Sequence, residues 1–202
     1  TVNLTVTDIF ADGGTGKDTT DATHSLNFDS AKATSLNIDG TAGLNLTLDS
    51  NTVKLVTIDA SKMTEGGLTV AANGKNAMTI TGGAGDDVLT ASTGATAKAD
   101  ILVGGAGNDT LVAGSNGAKL TGGAGNDLFI LTATSATTGT KEAATHSYIT
   151  DFKAGDLLQL EYFDGTKATA VTSFTKLAAN MSANAVYTDY VNAAMAQMVT
   201  TT

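Results

Sequence analysis

Apolar residues open the chain in short alternating runs: Val2-Leu4-Val6, Leu26-Phe28, Leu36-Ile38, Leu44-Leu46-Leu48, Val56-Ile58 and Leu68-Val70. An apolar residue at every second position, punctuated by Gly, Asp and Asn, predicts short half-buried strands. From Leu36 onward the runs recur roughly every ten to twelve residues, a solenoid-like spacing. Residues 1–72 are therefore read as parallel β-coils around one narrow core of Leu, Ile and Val, with a β-sandwich of the same strand spacing as the alternative. Near the other end the period changes. Val186, Tyr190, Ala194 and Met198, with Met195 beside them, follow a four-residue spacing. That predicts a helix over about 182–199 with Ser182 as its N-cap, its stripe a packing face.

Between these regions one nonapeptide, glycine-glycine-x-glycine-x-aspartate-x-apolar-x, occurs three times, as GGAGDDVLT from Gly82, GGAGNDTLV from Gly104 and GGAGNDLFI from Gly122. The intervening nines keep its skeleton: ATAKADILV retains Asp100 and Leu102, AGSNGAKLT retains Leu120, and NGKNAMTIT upstream retains Ile80. Only Ala91 to Gly94 interrupts the count.

Each position has a physical task. The glycines turn the chain tightly through conformations closed to other residues and expose carbonyl oxygens; the aspartate adds a carboxylate, and the last three residues form a short strand. Calcium takes about six to eight such oxygens. One turn supplies too few, so an ion must sit between stacked turns. With two nonapeptides per solenoid turn, the loops beginning at Gly82, Gly104 and Gly122 stack on one edge, and three loops make two gaps for about two ions. Loops on the opposite edge, around Asn76, Asp100 and Asn116, lack the glycines and mostly lack the aspartate. A one-sided ladder is predicted, with Asp100 a further candidate ligand on the far edge.

These repeats resemble the RTX nonapeptides of type I secreted proteins of Gram-negative bacteria. The resemblance implies a parallel β-roll whose Ca2+ ligands are loop carbonyls and the sixth-position aspartate. Residue by residue these are Gly82, Gly83, Ala84, Gly85 and Asp87; Gly104, Gly105, Ala106, Gly107 and Asp109; and Gly122, Gly123, Ala124, Gly125 and Asp127. Asp86, Asn108 and Asn126 hold the variable fifth place and should face solvent. The segment from His146 to Phe163, HSYITDFKAGDLLQLEYF, resembles the stretch after the last repeat in that family. By that match Asp151 and Asp156 would complete a terminal calcium site, while Ile149, Phe152, Leu158 and Leu160 cap the core, since a stacked solenoid needs an atypical end. Gly13 to Asp18 repeats the glycine pattern without a following strand; it is either a peripheral calcium loop with Asp12, Asp18 or Asp21 as ligands or a flexible insertion. The stretch around Asp59 resembles segments preceding such repeats in surface-layer proteins, and Asp59 is either a ligand or a turn aspartate. The expected organisation is 1–72 coils, 73–131 calcium-binding β-roll and 132–202 cap with a C-terminal helix, in one continuous elongated unit.

Composition narrows the partners. The formal net charge is −9, from 17 Asp and 3 Glu against 11 basic residues, all Lys. Short carboxylates suit tight loops, and without a basic stripe nucleic acid is not an expected partner. The absence of Cys removes disulfides and catalytic thiols. No run of about 18 apolar residues predicts a membrane span, and no N-terminal signal peptide is visible. That fits either a type I substrate, whose export signal is C-terminal in the resembling family, or an excised fragment, the preferred reading. His24 and His146 have no Cys or HExxH partners and are read as surface or turn residues. No GxSxG elbow occurs, Asp86 and Asp87 point to opposite sides of an extended backbone rather than forming a catalytic pair, and no Lys-Ser/Thr follows the glycines as in a phosphate loop. The expectation is a non-catalytic calcium-binding structural domain of a secreted, self-assembling surface-layer protein at the bacterial cell surface, exported by type I machinery. The rival readings are the export and folding tail of a secreted protease or lipase, and part of a large adhesin.

Overall fold

In the computed structural model the described residues are 1–7, 23–74, 76–93, 99–114, 117–134 and 147–163. They form strands β1 (Val2–Val6), β2 (Thr23–Phe28), β3 (Ser35–Gly40), β4 (Gly43–Leu48), β5 (Thr57–Met63), β6 (Leu68–Ala71), β7 (Thr79–Thr81), β8 (Val88–Thr90), β9 (Asp100–Ala106), β10 (Thr110–Ala113), β11 (Ala118–Ala124), β12 (Leu128–Thr134), β13 (Tyr148–Ile149) and β14 (Leu157–Phe163). Odd strands make one seven-stranded sheet and even strands the other, each in sequence order and parallel throughout. The chain thus winds from one sheet to the other and back, and each coil stacks on the one before it. This is the β-solenoid the alternation predicts, not the sandwich.

The core is a pair of ladders. On the odd sheet Leu36, Ile58, Ile80, Leu102 and Leu120 stand in register, all fully buried. On the even sheet Leu26, Leu46, Val70, Leu89, Leu111, Phe129 and Leu158 also stand in register, buried except for the half-buried ends Leu26 and Leu158. Each fully buried Leu or Ile contributes about 1.5–3 kcal/mol, and the period of two places the intervening Thr, Asn and Lys outside. Outer residues form ladders of their own: Asn37 Nδ2 donates to Asn3 Oδ1 at 2.9 Å, and the Thr121 and Thr150 hydroxyls meet at 2.7 Å.

Three local readings change. Leu55 is fully buried and Val56 faces out at 39% exposure, because both precede β5, which begins at Thr57, and the strand's alternation does not extend to them. Asp59 sits in β5 beside a bulge, not in a turn, and its carboxylate accepts the Ser61 amide at 3.0 Å. The Ser61 hydrogen bonds hold its pKa below the ordinary value. His24 is not a surface or turn residue: it lies half-buried on β2, paired with Leu44, and its Nε2 is buried without a hydrogen-bond partner. The loop Gly13 to Asp18, His146 and the helix over 182–199 lie outside the described residues.

Candidate metal centre

The three glycine-rich loops stack on one edge, as their spacing requires. Gly123 is in register with Gly105, and the Ala106 amide donates to the Gly83 carbonyl at 2.9 Å. The sixth-position aspartates are 22 and 18 residues apart, yet occupy equivalent places. The extra residues between the first two copies are absorbed elsewhere in the coil. The column also continues where no nonapeptide is written. Thr64 donates its amide to Gly40 O at 3.0 Å and Ala84 to Met63 O at 2.9 Å, which puts the turns at 40–43 and 63–67 beneath the first repeat.

Glycine at the first position is a matter of space. A Cβ on Gly82, Gly104 or Gly122 would strike Oδ2 of Asp87, Asp109 or Asp127, because each carboxylate folds back over the first glycine of its own loop. Gly105 adds a conformational need, with φ +123°, and a Cβ there would strike the Gly83 carbonyl.

All three aspartates are 1% exposed. Each reaches back to the coil before it. Asp87 Oδ1 accepts the Leu68 amide at 2.5 Å, Asp109 Oδ1 the Asp87 amide at 2.8 Å, and Asp127 Oδ1 the Asp109 amide at 3.1 Å. The fifth-position residues face solvent, as expected, and bond the other way: Asp86 Oδ1 accepts from Asn108 N at 2.6 Å and Asn108 Oδ1 from Asn126 N at 2.9 Å.

Burial pushes the Asp87 carboxyl up to about 6, against the Leu68 and Gly83 hydrogen bonds, with the Asp86 charge adding to the rise. Asp109 is pushed up to about 7, again mainly by burial, with the charges of Asp87, Asp127 and Asp86 raising it further. A carboxyl raised in the folded state favours folding below its unfolded pKa, and that contribution is lost as pH climbs through the folded value. Without metal, the urea midpoint is therefore expected to fall between pH 5 and pH 8, whereas calcium affinity should rise over the same window because the ion competes with protons. A metal-free midpoint that increases with pH would contradict this.

These residues fit calcium. Asp109 Oδ2 is buried with no hydrogen-bond partner, three carboxylates sit in consecutive loops, and the glycine carbonyls lie beside them. Among the described residues no point gathers three His, Cys, Asp or Glu side chains. An ion in the column must draw on backbone carbonyls too, a mixed oxygen set that suits calcium and not zinc.

Three candidates behave differently from the expectation. Asp100 stands on the opposite edge, where Oδ1 accepts the Met78 amide at 2.7 Å and Oδ2 accepts both the amide and hydroxyl of Ser92 at 2.7 Å. Its carboxylate ties the β6–β7 and β8–β9 connections to the start of β9 with neutral donors, so it acts as a brace on the edge opposite the ladder. Asp151 and Asp156 do cap the column, but their oxygens are in use. Asp151 accepts the Gly122 and Gly123 amides at 2.9 and 2.8 Å, and Asp156 accepts those of Asp127 and Lys153 at 3.0 and 2.9 Å. Phe152 is half-exposed, its ring 6.0 Å from that of Phe129. Sequence reasoning overlooked Lys153 and the turns at 40–43 and 63–67; the Gly66-Gly67-Leu68 string, which mimics a repeat without its aspartate, was the available signal.

Residues 79–96 and 95–129 match the RTX calcium-binding nonapeptide repeat, a family described by four copies of that unit. No curated protein and no solved structure matches the chain. The block from Thr79 to Phe129 thus consists of RTX repeats, which bind calcium.

Proposed function

We propose that this chain is a non-catalytic structural domain of a secreted bacterial surface-layer protein, one that folds when calcium reaches it after type I export and then assembles with its own copies. The observation that carries the reading is the Asp109 carboxylate: buried, with one oxygen unpartnered, and set between Asp87 and Asp127 in adjoining coils. Asp87, Asp109 and Asp127, with the carbonyls of 82–85, 104–107 and 122–125, would hold about two ions in the two gaps.

Calcium supplies positive charge where the fold has gathered negative charge away from water. In a calcium-poor cytosol the aspartates repel one another and the glycine loops are costly to order, so the block is far less stable there and is readily drawn unfolded through a narrow exporter. Outside, an ion that binds only the folded state stabilises it by mass action. RTX proteins are typically secreted, and among the described residues no helix is long and apolar enough to cross a membrane. The surface-layer assignment rests on the Cys-free, Lys-only, Asp-rich composition and on the coils that extend the solenoid upstream of the repeats.

Far-UV circular dichroism and sedimentation velocity, with calcium titrated from a chelated start and magnesium as the control, test it. The expected result is a calcium-specific gain of β signal followed by growth into large ordered assemblies. A chain that folds fully and stays monomeric regardless of calcium refutes the mechanism; a calcium-folded monomer that never assembles refutes the lattice.

A further inference from the structure

The Oδ2 atoms of the column are not answered alike. That of Asp87 accepts the Gly83 amide at 2.8 Å, and that of Asp109 has no partner. Asp127 Oδ2, the same atom one coil further on, lies 3.2 Å from the ammonium of Lys153. The ammonium also donates to the Gly123 carbonyl at 2.6 Å and lies 3.4 Å from Asp156 Oδ1. A second-position carbonyl, a sixth-position carboxylate and a carboxylate of the next coil therefore surround one positive charge. Among the described residues Lys153 is the only lysine in an ion pair.

We propose that Lys153 is a built-in substitute for calcium: its ammonium closes the gap between the loop 122–127 and the cap 151–156, so that this last gap takes no ion. The inference rests on the calcium reading of the repeats. An ammonium is a compact point charge with three donors, and it needs no shell of six to eight oxygens such as calcium requires. It meets three oxygens here, enough for its donors, and it holds the place that an ion drawing on these oxygens and the neighbouring carbonyls of 122–125 would take. Because it is tethered to the cap, its local concentration does not depend on the calcium outside. The side chain keeps 40% of its surface exposed even as its ammonium meets these oxygens. The cap is thereby fastened to the last repeat by the chain's own charge, and the ladder ends at the third loop.

Equilibrium dialysis at saturating calcium, with bound metal counted by atomic absorption, tests this on the full 202-residue chain. Lys153→Gln should bind one more calcium per chain than the wild type, and Lys153→Arg, which keeps the charge, should bind the same number. A second readout needs no variant. In the calcium-saturated wild type, reductive methylation should modify Lys153 several-fold more slowly than the exposed Lys54. Equal counts in Lys153→Gln and wild type, or a Lys153 amine that reacts as fast as Lys54, overturns the proposal. A wild type that binds no calcium overturns the ladder beneath it instead.

Discussion

Asp109→Asn is expected to stabilise the metal-free chain at pH 7.5 and to weaken it in calcium, an inversion of sign at one residue. The amide oxygen can still accept the Asp87 amide, so the backbone clasp survives. What disappears is a buried negative charge facing those of Asp87, Asp127 and Asp86. Raising a carboxyl from 3.8 to about 7 corresponds to a cost of ionisation on the order of 4 kcal/mol at neutral pH, since each pH unit is about 1.4 kcal/mol. The uncharged variant escapes much of that cost when no metal is present. It also loses an anionic donor, so calcium adds less. Urea midpoints in chelator and in saturating calcium measure both arms. A variant weaker than the wild type in chelator would mean that hydrogen bonding, not burial, governs this carboxylate.

Phe129→Ala should destabilise the chain in both conditions by about 3–5 kcal/mol, the range for emptying an aromatic site in a packed core. Phe129 is fully buried, the bulkiest member of the even-sheet ladder, and sits between Leu111 and Leu158. Its ring also meets Phe152 at a tilt of 51°, and such pairs contribute about 0.5–1.5 kcal/mol beyond their burial. Against a total stability of about 5–15 kcal/mol typical of folded domains, the loss is large. The same urea series measures it. Because the defect is a cavity and not a missing ligand, the chelated and calcium-loaded midpoints should fall together; a shift confined to the calcium series would place Phe129 in the metal site's energetics.

Much of this architecture could be read from side-chain spacing, because the solenoid repeats locally. Alternation at Leu36-Ile38 or Leu44-Leu46 fixes which residues face inward, and the shared frame of Gly82, Gly104 and Gly122 fixes which loops stack. What escaped was set by contacts between segments. The turns at 40–43 and 63–67 join the column through backbone hydrogen bonds, which any residue can make, so no aspartate advertises them. Asp100 matches the repeat pattern, yet its edge presents amides and a hydroxyl instead of glycine carbonyls, which turns the same carboxylate into a brace. Lys153 carries no signal in the sequence because its main partner, the Gly123 carbonyl, is 30 residues away. His24 was misplaced since a lone histidine in a polar run carries no sign of which face it takes.

The buried aspartate clasps of the column all point one way, opposite to the exposed fifth-position bonds of Asp86 and Asn108. The amides of Leu68, Asp87, Asp109 and Asp127 are gripped in turn by Asp87, Asp109, Asp127 and Asp156, so each loop is latched by the loop that comes after it in the chain. A linear stack whose layers touch only their neighbours usually has no preferred end from which to assemble. Here the buried latches supply a polarity: a coil's buried amide is gripped only after its C-terminal neighbour has arrived. Erosion from the C-terminal side opens the buried latches one step at a time, while erosion from the N-terminal side opens only the exposed bonds of Asp86 and Asn108 and leaves every remaining buried latch shut.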